Sequence, residues 1–244
     1  MNDLIVFGIQ LAILLPLIGV AALLTRSLKW GWLAAALAFA FVDFSLTAFV
    51  PEIPWFDFKS VSWNWVGKGA SVLFSLAVLW WRPDLRADSG VVLAQRKGSL
   101  ALSLGALAVL LTAAVYFGLQ GGKAPFKLET LLFQLTMPSL SEELVFRGIF
   151  LCLLHRALGS TTSPTLRRMG WAVPVVALWF GLGHAVYWAD HSFHVAWFAL
   201  AFTGTIGAIL IFMRVASGSI LFPALGHTLF NVVYTGLPMI HSAA

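Results

Sequence analysis

Apolar residues run together along this chain in eight blocks, at about 4–24, 30–50, 69–81, 99–119, 129–155, 171–188, 193–214 and 219–240. Most of them lie near the ~20 consecutive residues that a helix needs to cross a hydrocarbon core. The pattern predicts an all-α integral membrane protein, with about eight transmembrane helices in one bundle. The third block is short and begins beside Lys68, whose stem can snorkel to the interface. The fifth is long and contains Pro138, where a break or kink is expected. Ser139 or Ser141 is then placed to cap the restarted helix. The first block begins at Leu4 with neither a basic leader nor a small-residue cleavage site, and reads as a retained span.

Composition strengthens this reading. Hydrophobic residues make up 60% of the 244 and charged ones 10%, with a mean hydropathy of +0.90, far from the balance of a soluble domain. Tryptophans cluster near block ends, Trp30 and Trp32, Trp63 and Trp65, Trp80 and Trp81 among them, as an interfacial belt would place them. No repeat or low-complexity tract interrupts the chain. It reads as a single membrane domain, 1–244, with four spans in 1–125 and a C-terminal core in 126–244.

The net charge of +5 would suggest nucleic acid in a soluble protein. Here it orients the loops, and no nucleic-acid partner is expected. Loops after blocks one, three, five and seven hold ten basic residues: Arg26, Lys29, Arg82, Arg86, Arg96, Lys97, Arg156, Arg167, Arg168 and Arg214. The opposite loops hold four, Lys59, Lys68, Lys123 and Lys127. The positive-inside rule then places both termini on the outer face of the cell membrane. The one cysteine, Cys152, excludes an intrachain disulfide and reads as a small buried hydrophobe.

Charged side chains inside a span cost roughly 2.5–3.5 kcal/mol on insertion scales, and those that persist there generally pair and serve a function. Ser141-Glu142-Glu143-Leu144-Val145-Phe146-Arg147 places two carboxylates and a guanidinium in block five. Glu143 and Arg147 are spaced i, i+4 and can pair on one face. Glu142, about 100° round the helix, is left without that partner and is the candidate base. Phe180-Gly-Leu-Gly-His184 sets a histidine in block six, with small residues that admit a neighbouring helix. His227-Thr-Leu-Phe-Asn231 sets a histidine and an amide on one face of block eight. With the termini outside, Glu142, His184, His227 and Asn231 all fall toward the outer leaflet and can meet in one polar cavity. His191 and His194 read as a solvated outer loop. Asp43 either bonds a neighbouring helix or points into the cavity.

Glu142-Glu143-xxx-Arg147, Phe180-xxx-His184 and His227-xxx-Asn231, in that order on separate spans, resemble the three motifs of the CPBP family, over about residues 130–235. That family includes the CAAX prenyl endopeptidases and bacterial bacteriocin-processing or Abi-type membrane proteins. The resemblance implies an intramembrane peptidase acting on a membrane-associated protein or peptide within the lipid bilayer. It implies that Glu142 and His184 activate a water, that His227 and Asn231 hold the oxyanion, and that Glu143 and Arg147 brace the site, with Phe180 in support. If a metal takes part, Glu142, His184 and His227 are its ligand set. Without an HExxH sequence, a metal-free glutamate mechanism is preferred to zinc. An outward site suits exported or surface-anchored substrates and fits a cytosolic prenylated tail poorly. The alternatives are a non-proteolytic scaffold or immunity protein of the same family, and a proton or ion transporter.

Overall fold

In lipid every backbone polar group must find its partner within the protein, so long apolar blocks fold as helices. The computed structural model describes residues 2–56, 61–159 and 170–243. Lys59, Arg167 and Arg168, counted above among the loop charges, lie outside the described residues. The first four apolar blocks become α1 (Asn2–Thr25), α2 (Trp30–Phe49), α3 (Trp65–Trp81) and α5 (Ser99–Gln120), with a short α4 (Pro83–Asp88) between the last two. The fifth becomes α6 (Leu128–Glu142), a π-helical stretch Glu143–Phe150, and α7 (Leu151–Leu158). The remainder is α8 (Ala172–Ala185), a hairpin of β1 (Val186–Ala189) and β2 (Ser192–Val195), α9 (Trp197–Ser217) and α10 (Leu221–Ala243).

The protein is an all-α, multi-pass membrane bundle. Among the described residues four helices are long and apolar enough to cross a membrane: Asn2–Thr25, Trp30–Glu52, Ser99–Gln120 and Trp197–Ser217. Trp65–Trp81 and Ala172–Ala185 are shorter apolar helices. Successive helices alternate in direction, as the contacts between their ends show. At one end Lys29 N–H donates to Ala157 O at 2.8 Å, Arg156 meets Asp84 at 2.5 Å, and Arg96 N–H donates to Ser217 O at 2.8 Å. At the other, Ser62 N–H donates to Glu129 at 3.1 Å and Ala124 N–H to Pro238 O at 3.0 Å.

Two local expectations are corrected. The sixth block ends as helix at Ala185, and the residues after it form the hairpin rather than span ends. In the register Ala189 faces Ser192, leaving Asp190 and His191 as a two-residue turn with φ of 48° and 60°. Both positions are left-handed, the condition for a turn that matches the twist of two strands. Pro138 neither breaks α6 nor restarts it. Ser141 Oγ instead donates back to Met137 O at 2.9 Å, and Ser139 Oγ lies 2.5 Å from Thr228 Oγ1 on α10. Serine hydroxyls of this kind bond carbonyls within the helix, and the irregularity appears one turn later as the π-helix. Cys152 is buried, but its thiol also donates to Asp88 O at 3.1 Å.

Close approaches hold the bundle together. Gly181 of α8 is the small residue that admits α9: a Cβ there would lie 3.0 Å from Leu200 O. Gly183 has no such neighbour and borders the cavity instead. The buried Gln10 ties α1 to α8, accepting from Trp179 Nε1 at 3.1 Å. Large apolar side chains such as Leu23, Leu73 and Phe198 remain outside, as lipid-facing positions should.

Candidate active site

Glu142 closes α6 and Glu143 opens the π-helix, so the backbone widens between the two carboxylates. They separate into different surroundings. Glu143 and Arg147 are each 0% exposed, and Arg147 Nη1 donates to Glu143 Oε1 at 3.0 Å. Arg147 Nη2 donates to Gly207 O on α9 at 3.3 Å, and its guanidinium lies 4.1 Å from the Phe180 ring centre. Phe180 therefore serves as a cation–π floor beneath the buried charge. Gly207 leaves room for that ring, since a Cβ there would sit 2.8 Å from Phe180 Cδ1.

The same Glu143 oxygen also receives His227, whose Nδ1 lies 2.8 Å away. A carboxylate is acceptor-only, so Nδ1 carries the hydrogen and Nε2 is the ring atom left to face Glu142. His227 Nε2 and Glu142 Oε2 are 3.9 Å apart, beyond direct hydrogen-bond reach.

Glu142 is not the unpaired carboxylate of the sequence reading. Lys68, from α3, places Nζ 2.7 Å from its Oε1. Lys68 reaches inward rather than snorkelling to the interface, because α6 places a carboxylate within its reach. Sequence spacing could not reveal a partner 74 residues away. The other oxygen, Oε2, is buried and has no hydrogen bond among the described residues.

His184 stands in the last turn of α8, exposed, with Nδ1 2.8 Å from Phe180 O and its ring 4.8 Å from the Phe180 ring. The carbonyl fixes the proton on Nδ1 and leaves Nε2 as an acceptor. Asn231 is half-buried one turn beyond His227. Its side chain has no hydrogen bond among the described residues.

A cavity of about 630 Å³ opens beside Glu142, with Gln10, Asp43, Lys68, Trp179 and Tyr187 among its walls. Asn2 and Asp3 border it too, so it reaches the end of the bundle that holds the N-terminus. Asp43 both points into this cavity and bonds a neighbouring helix, accepting from Ser71 Oγ of α3 at 2.6 Å. The hairpin contributes Val186, Tyr187 and Trp188 to the wall. His191 sits in its turn, and His194 is held by Ser192 Oγ at 3.0 Å and stacked on Tyr187.

Among the described residues no group of three His, Cys, Asp or Glu side chains is arranged to hold an ion. Of the set named above, Glu142 Oε1 is held by the Lys68 ammonium, while His227, with Nδ1 on a carboxylate, keeps Nε2 open, the arrangement usual for a ligating histidine.

No curated protein and no solved structure matches the chain. Residues 124–233 match the family described as type II CAAX prenyl endopeptidase Rce1-like. This segment contains all three polar motifs, from Glu142 to Asn231, and ends before the last turns of α10. Over this segment the chain is similar to the CPBP family, a family of proteases.

Proposed function

We propose that the protein is an intramembrane endopeptidase that hydrolyses a peptide bond of a membrane-associated protein or peptide. The observation that carries this is Glu142: a buried carboxylate gripped at one oxygen, with the other turned toward His227 beside a cavity that opens at one end of the bundle. The substrate's carbonyl carbon would be presented from that cavity.

In this reading Glu142 Oε2 and His184 Nε2 share removal of a proton from the attacking water. The C–O bond forms at the carbonyl carbon and the carbonyl oxygen becomes an oxyanion. Asn231 donates to it through its amide N–H. His227 can donate through Nε2 only when the ring carries both protons, since Nδ1–H is committed to Glu143. A doubly protonated His227 between Glu142 and Glu143 would therefore meet the developing charge, an electrostatic contribution made before reaction begins. Collapse expels the amine, which takes up the proton removed from water.

The basic loops gathered at one end support an active site on the outer face. In the positive-inside sense that end is cytoplasmic, and the cavity mouth, with Asn2 and Asp3, lies at the other. Exported or surface-anchored proteins are then the substrate class.

The test is cleavage of a membrane-anchored reporter peptide in proteoliposomes. Glu142→Ala and His184→Ala should each lower the rate about 10²–10⁴-fold, the usual contribution of a positioned acid–base group. Wild-type rates in both variants would end this reading.

A further inference from the structure

Lys68 lies outside the segment that matches the protease family, residues 124–233, yet its ammonium touches the carboxylate proposed as base. From this geometry we infer that Lys68 is a positioning residue for Glu142, supplied by the N-terminal half of the chain. The inference rests on the peptidase reading above and adds to it a residue that the three motifs do not contain.

The contact is close and sheltered, 2.7 Å between Nζ and Oε1 with side-chain exposures of 21% and 12%. A charge-assisted bond in such a place is short and directional. It engages one oxygen and leaves the other, Oε2, without a bond among the described residues and 3.9 Å from His227 Nε2. Fixing Oε1 stops rotation of the carboxylate, so Oε2 remains the oxygen presented to the reaction.

The position of Lys68 is itself over-determined. Asn64 caps α3, its Oδ1 accepting from Gly67 N–H at 2.8 Å, while its Nδ2 donates to Thr47 O of α2 at 2.9 Å. Gly67 makes that junction possible: a Cβ would lie 2.6 Å from Thr47 O. Trp65 Nε1 then donates to Glu129 Oε1 on α6 at 3.1 Å, and Trp63 Nε1 to Thr130 Oγ1 at 2.9 Å. The start of α3 is thereby tied to the start of α6, whose last residue is Glu142. Lys68 follows within the first turn. Such scaffolding is what a group needs if displacement by about 1 Å can cost about 100-fold in rate.

The test compares full-length wild type, Lys68→Met, Lys68→Arg and Glu142→Ala in proteoliposomes, measuring kcat and KM separately, with the thermal unfolding midpoint of each in detergent. Lys68→Met should lower kcat about 10- to 100-fold, in the range expected for misplacement, and leave KM within about twofold. Lys68→Arg, which restores a cation, should recover most of the rate. If Lys68→Met does not fold, Lys68→Gln replaces it in the same comparison. Unchanged kcat in a folded variant overturns the inference. So does a rise in KM alone, which would make Lys68 a substrate contact, or a rate loss that tracks the unfolding midpoint and is not rescued by arginine. A Glu142→Ala variant that cleaves like wild type removes Glu142 from the reaction and overturns this role with it. A dead Glu142→Ala beside an unaffected Lys68→Met overturns only the role of Lys68.

Discussion

Glu143 Oε1 is shared between Arg147 Nη1 at 3.0 Å and His227 Nδ1 at 2.8 Å. One carboxylate oxygen thus balances a fully buried guanidinium on its own helical segment and orients an imidazole on α10. Glu142, the adjacent residue, touches neither at bonding distance and answers to Lys68 instead. The two glutamates of the motif are structurally unequal, and substitutions should separate them.

Replacing Glu143 by alanine removes the counter-charge of Arg147 and should cost about 3–5 kcal/mol, the usual consequence of stranding one member of a buried pair. The protein should lose both its unfolding midpoint in detergent and its activity. Glu142→Ala strands only Lys68, which is partly exposed and has a long stem, so activity should fall with much less loss of stability. Equal midpoints for the two variants would contradict the division.

Asn231 offers a cleaner separation of rate from stability. Its side chain is half-buried and bonds no described residue, so Asn231→Ala should leave the unfolding midpoint near that of wild type. As an oxyanion donor its loss should lower kcat about 10²–10³-fold. A variant with wild-type kcat would remove it from the proposed mechanism.

The helices and the polar motif residues were legible in the sequence because both signals are local: uninterrupted apolar blocks, and spacings of four residues on a helix. The pairing of Glu143 with Arg147 follows from such a spacing. What was not legible is contact between distant residues. Lys68, read as a snorkelling interface residue, differs from any other lysine at a span end only through what α6 places opposite it. The π-helix after Glu142 has no periodicity of its own to read, since its residues are as apolar as their neighbours. The hairpin was absorbed into two apolar blocks because Val186, Tyr187, Trp188 and Phe193 suit a span as well as a strand. The Asp190-His191 turn was its only local mark.

Two glycines two residues apart on α3 should respond oppositely. A Cβ at Gly67 would collide with the Asn64 side chain and with the Thr47 carbonyl, whereas at Gly69 nothing lies within 4 Å. Gly67→Ala should therefore push α3 from α2, costing about 1–3 kcal/mol as overpacking does, and should lower kcat by moving Lys68. Gly69→Ala should be neutral or stabilising by about 0.4–1 kcal/mol, through the lost freedom of the unfolded chain. Unfolding midpoints and cleavage rates of the two variants, side by side, check both effects. Similar behaviour of the pair would show that the close α2–α3 junction does not govern Lys68.

At the opposite end of the bundle, Asp84 accepts from Arg82 Nε at 2.9 Å and from Arg156 Nη1 at 2.5 Å, while Arg156 Nη2 reaches Asp88 at 2.6 Å. Both guanidiniums lie over the Trp32 ring, at 5.3 Å for Arg82 and 4.7 Å for Arg156. The cluster joins α2, α4 and α7. Arg82 first, then Arg156, hold the Asp84 carboxyl well below the ordinary aspartate value of 3.8. A carboxyl lowered in the folded state contributes stability that is complete above its unfolded value and lost as pH falls through the folded one. Asp84→Asn should therefore unfold at a lower temperature than wild type near neutral pH, and the gap should close as the pH drops below about 4, toward protonation of the wild-type carboxyl. Asp84 is 44% exposed, so salt should also narrow the gap. A difference that persists unchanged in acid would assign Asp84 a packing role in place of an ionic one.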